Sequence, residues 1–336
     1  GRYVWQDRAL TRFSNRGRLV LAWPGEISFG RLRAISSRIA NVACAVNVKK
    51  ELQRYGYWNR WRPAGPRNRS ERQSRGWAQA SLAYIEPQAR FNLNHVVTRA
   101  VPDGSDWVIN GFKGVVLGAP SADLLIVSAR TDGDEQAEEG ITLFVVPANA
   151  EGVSRRNYPT IDGFRASEVT LSDVRVSAES VLGEVGQGFA TLQYAIDQGI
   201  LGVGAEAVGA MEVLYKDTVE YCKTREQFGQ PIGKFQVLQH RMVDMFIEHE
   251  QTKSLAYMAA MRLAEEYNGE SRKALSALKV QVGKGGTFVG QNAVQLHGGM
   301  GMTDELNIGH YFKRLTAIET LFGNSDFHLK QYSALS

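Results

Sequence analysis

Between residues 82 and 180 apolar and polar positions alternate in short runs. HVVTRAV (95–101), DWVING (106–111), DLLIVSART (123–131), ITLFVVP (141–147) and SEVTLSDVRV (167–176) are rich in β-branched residues, and turn signals such as PDGS (102–105) and TDGDE (131–135) separate them. This pattern predicts a compact antiparallel β domain. From Gly186 onward the period lengthens. Residues 188–225, 235–267 and 271–299 read as three long helices, and a fourth runs through 305–322. In the second, Leu238, Met242, Met245, Leu255, Met258 and Leu263 fall mainly on one face. Long helices with short connections predict a four-helix bundle, so the fold class is α+β.

The first 76 residues behave differently. They hold fifteen Arg and two Lys against four acids, a net charge of +13, while residues 77–336 carry −9. WNRWRPAGPRNRSERQSRG (58–76) reads as loop, and only SSRIANVACAVNVKKELQ (36–53) has a helical cast. Three readings of this segment compete: a basic arm for nucleic acid, an Arg-rich transit peptide, and a diverged or frame-damaged stretch. The expected organisation is therefore an atypical region at 1–76, a β domain at 77–184 and a helical bundle at 185–336. No apolar run reaches the length of a membrane span. The two cysteines, Cys44 and Cys222, lie far apart without ligand spacing, which fits a reducing compartment and no metal site.

Glycine motifs come next. GVGAEA (202–207) matches the dinucleotide fingerprint, but the fingerprint needs a strand before it and a helix starting at it. Here it lies inside a helical run, as does GKGGT (283–287), so close helix packing accounts for both. KTREQFGQPIGKFQ (223–236) reads as a corner between two helices, turned by Phe228 and Gly229 and held by Pro231 and Gly233. Taken alone, it is a structural corner with an exposed Arg225. A guanidinium at such a junction also suits two-point contact with a pyrophosphate. AVQLHGGMGMTDE (293–305) adds Gln295 and the pair Gly298–Gly299, where a backbone can approach a ligand.

TREQFG in one helical hairpin and QLHGGMG in the next, after an inserted β domain, resemble the acyl-CoA dehydrogenase family. DG (162–163), VTLSDVRV (169–176) and LGEVGQGF (182–189) follow in the family's order, and the likeness covers about 80 to 330. It implies FAD as cofactor, oxidation of the Cα–Cβ bond of an acyl-CoA thioester, and an electron-transfer flavoprotein as acceptor. A carboxylate takes the α-proton while the β-hydrogen leaves as hydride. It also implies a bacterial-type cytoplasmic setting ahead of a mitochondrial matrix.

The resemblance divides the site residues into two sets. Arg225, Phe228, Gln295, Gly298 and Gly299 match the set that serves a neighbouring chain's FAD. The set that serves a chain's own flavin is altered. IEPQARFN (85–92) keeps Glu86 and Pro87 but has Ile85 for a threonine and lacks the glycine–serine turn. Val115, Val116 and Leu117 stand where a Trp-Ile-Thr usually faces the ring. Phe322 and Gly199 occupy the two positions at which relatives carry the base, and Ile200 replaces an arginine. Asp197 and Glu319 are the nearest carboxylates, both out of phase with those positions. The pattern is similar to the small subunits of heteromeric acyl-CoA dehydrogenases of the pimeloyl-CoA type. It implies a second dehydrogenase chain as partner. The alternatives are an independently active homotetramer using Asp197 or Glu319, and a nucleic-acid-binding protein using the basic arm.

Overall fold

The computed structural model describes residues 79–335 and, as backbone only, two three-residue strands before them, Thr11–Phe13 (β1) and Leu19–Leu21 (β2). The proposed Arg-rich arm and the 36–53 helix lie outside the described residues.

Eight strands form one sheet: Ala80–Ala83 (β3), Arg99–Asp103 (β4), Asp106–Leu117 (β5), Leu124–Arg130 (β6), Ile141–Pro147 (β7), Val153–Pro159 (β8), Arg165–Ser177 (β9) and Val181–Leu182 (β10). Most pairs are antiparallel, as the alternation predicts. β6 differs, because β3 pairs with its first half and β4 touches its end, both in parallel. β3 is too short and β8 too polar to announce themselves in the sequence. β6 and β7 read as continuous apolar runs because both faces are covered. Leu124 and Ile126 pack toward the helices, whereas Leu125 and Val127 face a second core with Ile109, Phe144, Val169 and Leu171. Register shifts between Ile109 and Gly111 and between Lys113 and Val116 bend β5 around that second core.

Five helices follow: Gly188–Thr224 (α1), Gln236–Glu265 (α2), Gly269–His297 (α3), Asn307–Thr320 (α4) and Ser325–Ala334 (α5). The first four make the expected bundle, and α5 is an addition. Both glycine motifs lie inside helices. A Cβ at Gly204 would sit 2.7 Å from Leu278 Cδ2, so α1 and α3 approach too closely for a larger residue. The buried stripe of α2 differs from the expected one. It runs through Met245, His249, Thr252 and Ala259, and Met258 is exposed. A polar His and Thr on the inner face hide the true phase from any count of apolar residues. One consequence is a second, exposed apolar face on α2 with Phe246, Ile247, Tyr257 and Met261.

The sheet and the bundle are tied by a buried charge cluster. Arg314 of α4 donates from Nε and Nη2 to both oxygens of Glu206 on α1, at 2.6 and 2.8 Å, and from Nη1 to Asp162 at 2.7 Å. Asp162 belongs to the loop between β8 and β9, and the Phe164 ring lies 4.6 Å from the guanidinium. This gives the DG motif at 162–163 a physical role. Its aspartate joins the β domain to the bundle through a guanidinium that bonds two carboxylates.

Candidate active site and cofactor corner

A cavity of about 630 Å³ opens where the first turns of α1 meet the β3–β4 loop, the end of β5 and the α4–α5 connection. Its apolar wall includes Ile85, Val115, Leu117, Ile196, Ile200 and Phe322, and Arg90, Gln193, Asp197 and Arg272 supply polar groups.

The two expected base positions touch each other at this cavity's edge, and Phe322 lines it. A Cβ at Gly199 would lie 2.9 Å from Phe322 Cζ, so the phenyl ring rests on the glycine. Phe322 has φ 59° and Gly323 φ 110°, an unusual pair for a chain that places a bulky residue first. Three hydrogen bonds hold this turn. The Lys279 ammonium donates to the carbonyls of Glu319 at 3.0 Å and Gly323 at 2.6 Å, and His328 Nε2 donates to the Phe322 carbonyl at 2.9 Å. Burial pulls the Lys279 ammonium down to about 8 and the His328 imidazole down to about 4. Sequence reasoning missed both. Lys279 was the findable one, since it falls among Leu275, Leu278 and Val282 on the buried face of α3.

The two candidate carboxylates part company. Glu319 accepts from the Ser325 amide at 2.9 Å and hydroxyl at 3.1 Å. It is occupied in starting α5 and does not line the cavity. Asp197 does line it, 4% exposed. Its oxygens accept from Tyr267 Oη at 2.7 Å and Gln193 Nε2 at 3.2 Å, and Arg272 Nε lies 3.4 Å away. Burial raises the Asp197 carboxyl above its ordinary range, against the donors around it.

The 85–92 segment is also clearer. Glu86 faces inward, where it accepts from the Lys113 ammonium at 2.6 Å and from the amides of Val97 and Thr98. Burial alone would raise its carboxyl, but Lys113 and the amides outweigh that and hold it at about 2. The segment lacks the glycine–serine pair but still turns, over residues 87–91. Arg90 adopts φ 51° and keeps the turn without the glycine. Its side chain and those of Ile85 and Leu117 reach the cavity, where none but Arg90 can hydrogen-bond. Ile85 and Leu117 bring no side-chain donor to a flavin ring, which leaves it backbone groups there.

Arg225, Phe228, Gln295, Gly298 and Gly299 gather at the other end of the bundle. Arg225 caps α1, and Phe228 (φ 55°) and Gly229 (φ 75°) turn the chain as expected. The Tyr221 ring in the last turn of α1 stacks on His297, the last residue of α3, at 4.3 Å, which brings the two motifs together. Phe228 is 91% exposed. Among the described residues, the Arg225 guanidinium and the Gln295 amide have no partner. Space is open within 4 Å of a Cβ at either Gly298 or Gly299. Free donors, an exposed ring and two glycines fit the phosphates and adenine of a dinucleotide. Along α1, at about 1.5 Å per residue, Asp197 and Arg225 are about 42 Å apart.

Family models agree with this architecture. The acyl-CoA dehydrogenase middle domain matches residues 81–174, and the acyl-CoA dehydrogenase C-terminal domain matches 186–334. A short-chain-specific acyl-CoA dehydrogenase of Megasphaera elsdenii is 31% identical over 76% of this chain and 67% of its own. The chain belongs to the acyl-CoA dehydrogenase family. Acyl-CoA dehydrogenases are FAD-dependent oxidoreductases. A caffeyl-CoA reductase–Etf complex subunit, CarC, of Acetobacterium woodii is 30% identical over 71% of this chain and 63% of its own. The crystal structure of an FAD-dependent dehydrogenase superposes with a TM-score of 0.72 at 27% identity, covering 76% of this chain and 69% of that one. The chain spans 60–67% of the length of the curated relatives it matches. No helix among the described residues is long and apolar enough to cross a membrane.

Proposed function

We propose that this acyl-CoA dehydrogenase chain is a small, base-deficient subunit that completes the FAD site of a partner dehydrogenase chain. The observation that carries the reading is the contrast between its two ends. Arg225, Phe228, Gln295 and Gly299 stand exposed at one end, with the Arg225 and Gln295 side chains unpartnered among the described residues, while Phe322 lies on Gly199 at the other. When bound, FAD supplies the electron acceptor for Cα–Cβ oxidation of an acyl-CoA. This chain's part is to grip the pyrophosphate with Arg225, to cover the adenine with Phe228 and to bring the Gly298–Gly299 backbone close. Its own cavity offers no carboxylate at the base positions, and Ile85 and Leu117 offer no donor to a flavin. The exposed apolar face of α2 supports burial against another chain. An electron-transfer flavoprotein as acceptor and a cytoplasmic setting belong to the same reading. CarC, a subunit of an Etf complex, supports the acceptor.

The test is flavin content and acyl-CoA turnover of this chain alone, of a co-expressed neighbouring dehydrogenase, and of both together. The expected result is little flavin and no turnover alone, and fewer flavins than chains in an active complex. One flavin per subunit with turnover in a homotetramer of this chain would defeat the proposal. That outcome would favour Asp197, the only one of the two candidate carboxylates on the cavity wall, as the base of an independent enzyme.

A further inference from the structure

Arg272 pairs with Asp197 but has no part in the proposed role. It projects from the first turn of α3 into the cavity. Its Nε is buried and makes no hydrogen bond, although Asp197 Oδ2 lies 3.4 Å away. Among the described residues nothing accepts from its two Nη groups either. A guanidinium carries five N–H donors in a rigid fork. Here it is held by one ionic contact on its Nε edge, which leaves the Nη1–Nη2 edge open.

The surroundings keep it that way. Asp197 is fixed by Tyr267 and Gln193, so the carboxylate that aims Arg272 cannot swing to saturate it. Ile196, Ile200, Phe322 and Phe327 line the adjacent wall and offer no acceptor. Net charge does not select a ligand here, because Arg90 and Arg272 share the lining with Asp197 and Glu138. An open fork beside an apolar wall calls for a ligand with two coplanar oxygens and a hydrocarbon body.

We infer that this chain's own cavity binds an amphipathic carboxylate, its two oxygens on the Arg272 fork and its alkyl tail along Ile196 and Ile200. No bond is made or broken there, and the site stands whether or not the chain serves a partner's flavin.

Calorimetric titration of the full chain with octanoate, octanamide and octanol tests this. Octanoate should bind about tenfold or more tighter than octanol, since a charge-assisted pair replaces a neutral contact. Arg272→Met should abolish the preference and leave octanol binding unchanged, and Arg272→Lys, a charge without a fork, should restore only part of it. Because Arg272→Met leaves Asp197 without its cation, Asp197→Asn/Arg272→Met removes both and should show the same loss. Equal binding of octanoate and octanol to the unmodified chain, no binding of any probe, or a double variant that keeps the preference would overturn the inference.

Discussion

The Phe322 ring lies against the bare α-carbon of Gly199, so closely that a Cβ added there would be only 2.9 Å from Phe322 Cζ. Two positions far apart in the chain thus fill one place, and neither carries a group that can take a proton. The contact also makes them energetically dependent. Gly199→Ala in an otherwise unchanged chain should give little or no stabilisation, because the ring must move. In a Phe322→Ala background the same change should recover the gain of about 1 kcal/mol that alanine has over glycine within a helix. Urea denaturation of the four chains measures the coupling. Identical effects in both backgrounds would mean that the contact is slack.

Arg225→Ala should leave the chain folded and weaken FAD retention in the assembled complex by roughly tenfold to a hundredfold, the usual loss for a charge-assisted contact. The side chain is exposed and has no partner among the described residues, so its removal should cost the isolated chain little. Flavin release measured by absorbance after dilution reads the effect. Unchanged retention would remove Arg225 from the cofactor corner.

Arg314→Met should cost about 3–5 kcal/mol, because Glu206 and Asp162 would stay buried without their cation. Removing the charges together, as Asp162→Asn/Glu206→Gln/Arg314→Met, should recover much of that loss. Chemical denaturation distinguishes the two chains. A small effect of the single change would show that water reaches the cluster.

Stability should fall as pH drops from about 6.5 to about 4. Burial holds the His328 imidazole at about 4 in the folded chain, beside the Lys279 charge. The unfolded chain takes up that proton first, near the ordinary value of about 6.5. Above that window His328 is neutral in both states and its contribution is complete, and below about 4 the loss is complete. The shift corresponds to about 3 kcal/mol as an upper bound. Denaturation midpoints for the unmodified chain and His328→Asn between pH 7 and 4 should diverge in slope, the variant losing this component. Parallel curves would argue against a neutral buried imidazole.

Much of the architecture was legible because it is local. Period-two alternation marks β5 and β9, a continuous apolar run marks β7, and the 3.6-residue period marks α1 to α4, since each element buries one face or two. The corner at Arg225–Gly229 was legible too, since a short polar run rich in glycine between two helical patterns leaves the chain little choice. What the sequence could not decide depends on contacts between distant segments. Nothing local shows that Gly199 meets Phe322, that Glu86 spends its charge on Lys113, or that Asp162 closes on Arg314. The true phase of α2 was hidden for the same reason, as His249 and Thr252 are inside only because α1 and α3 cover them. Arg90 keeps a left-handed turn without glycine because Glu86, anchored by Lys113, holds the segment in place. Local propensities weigh tenths of a kcal/mol to about 1 per residue, and burial of a charge or a ring weighs several, so tertiary packing decided the chemistry of the site.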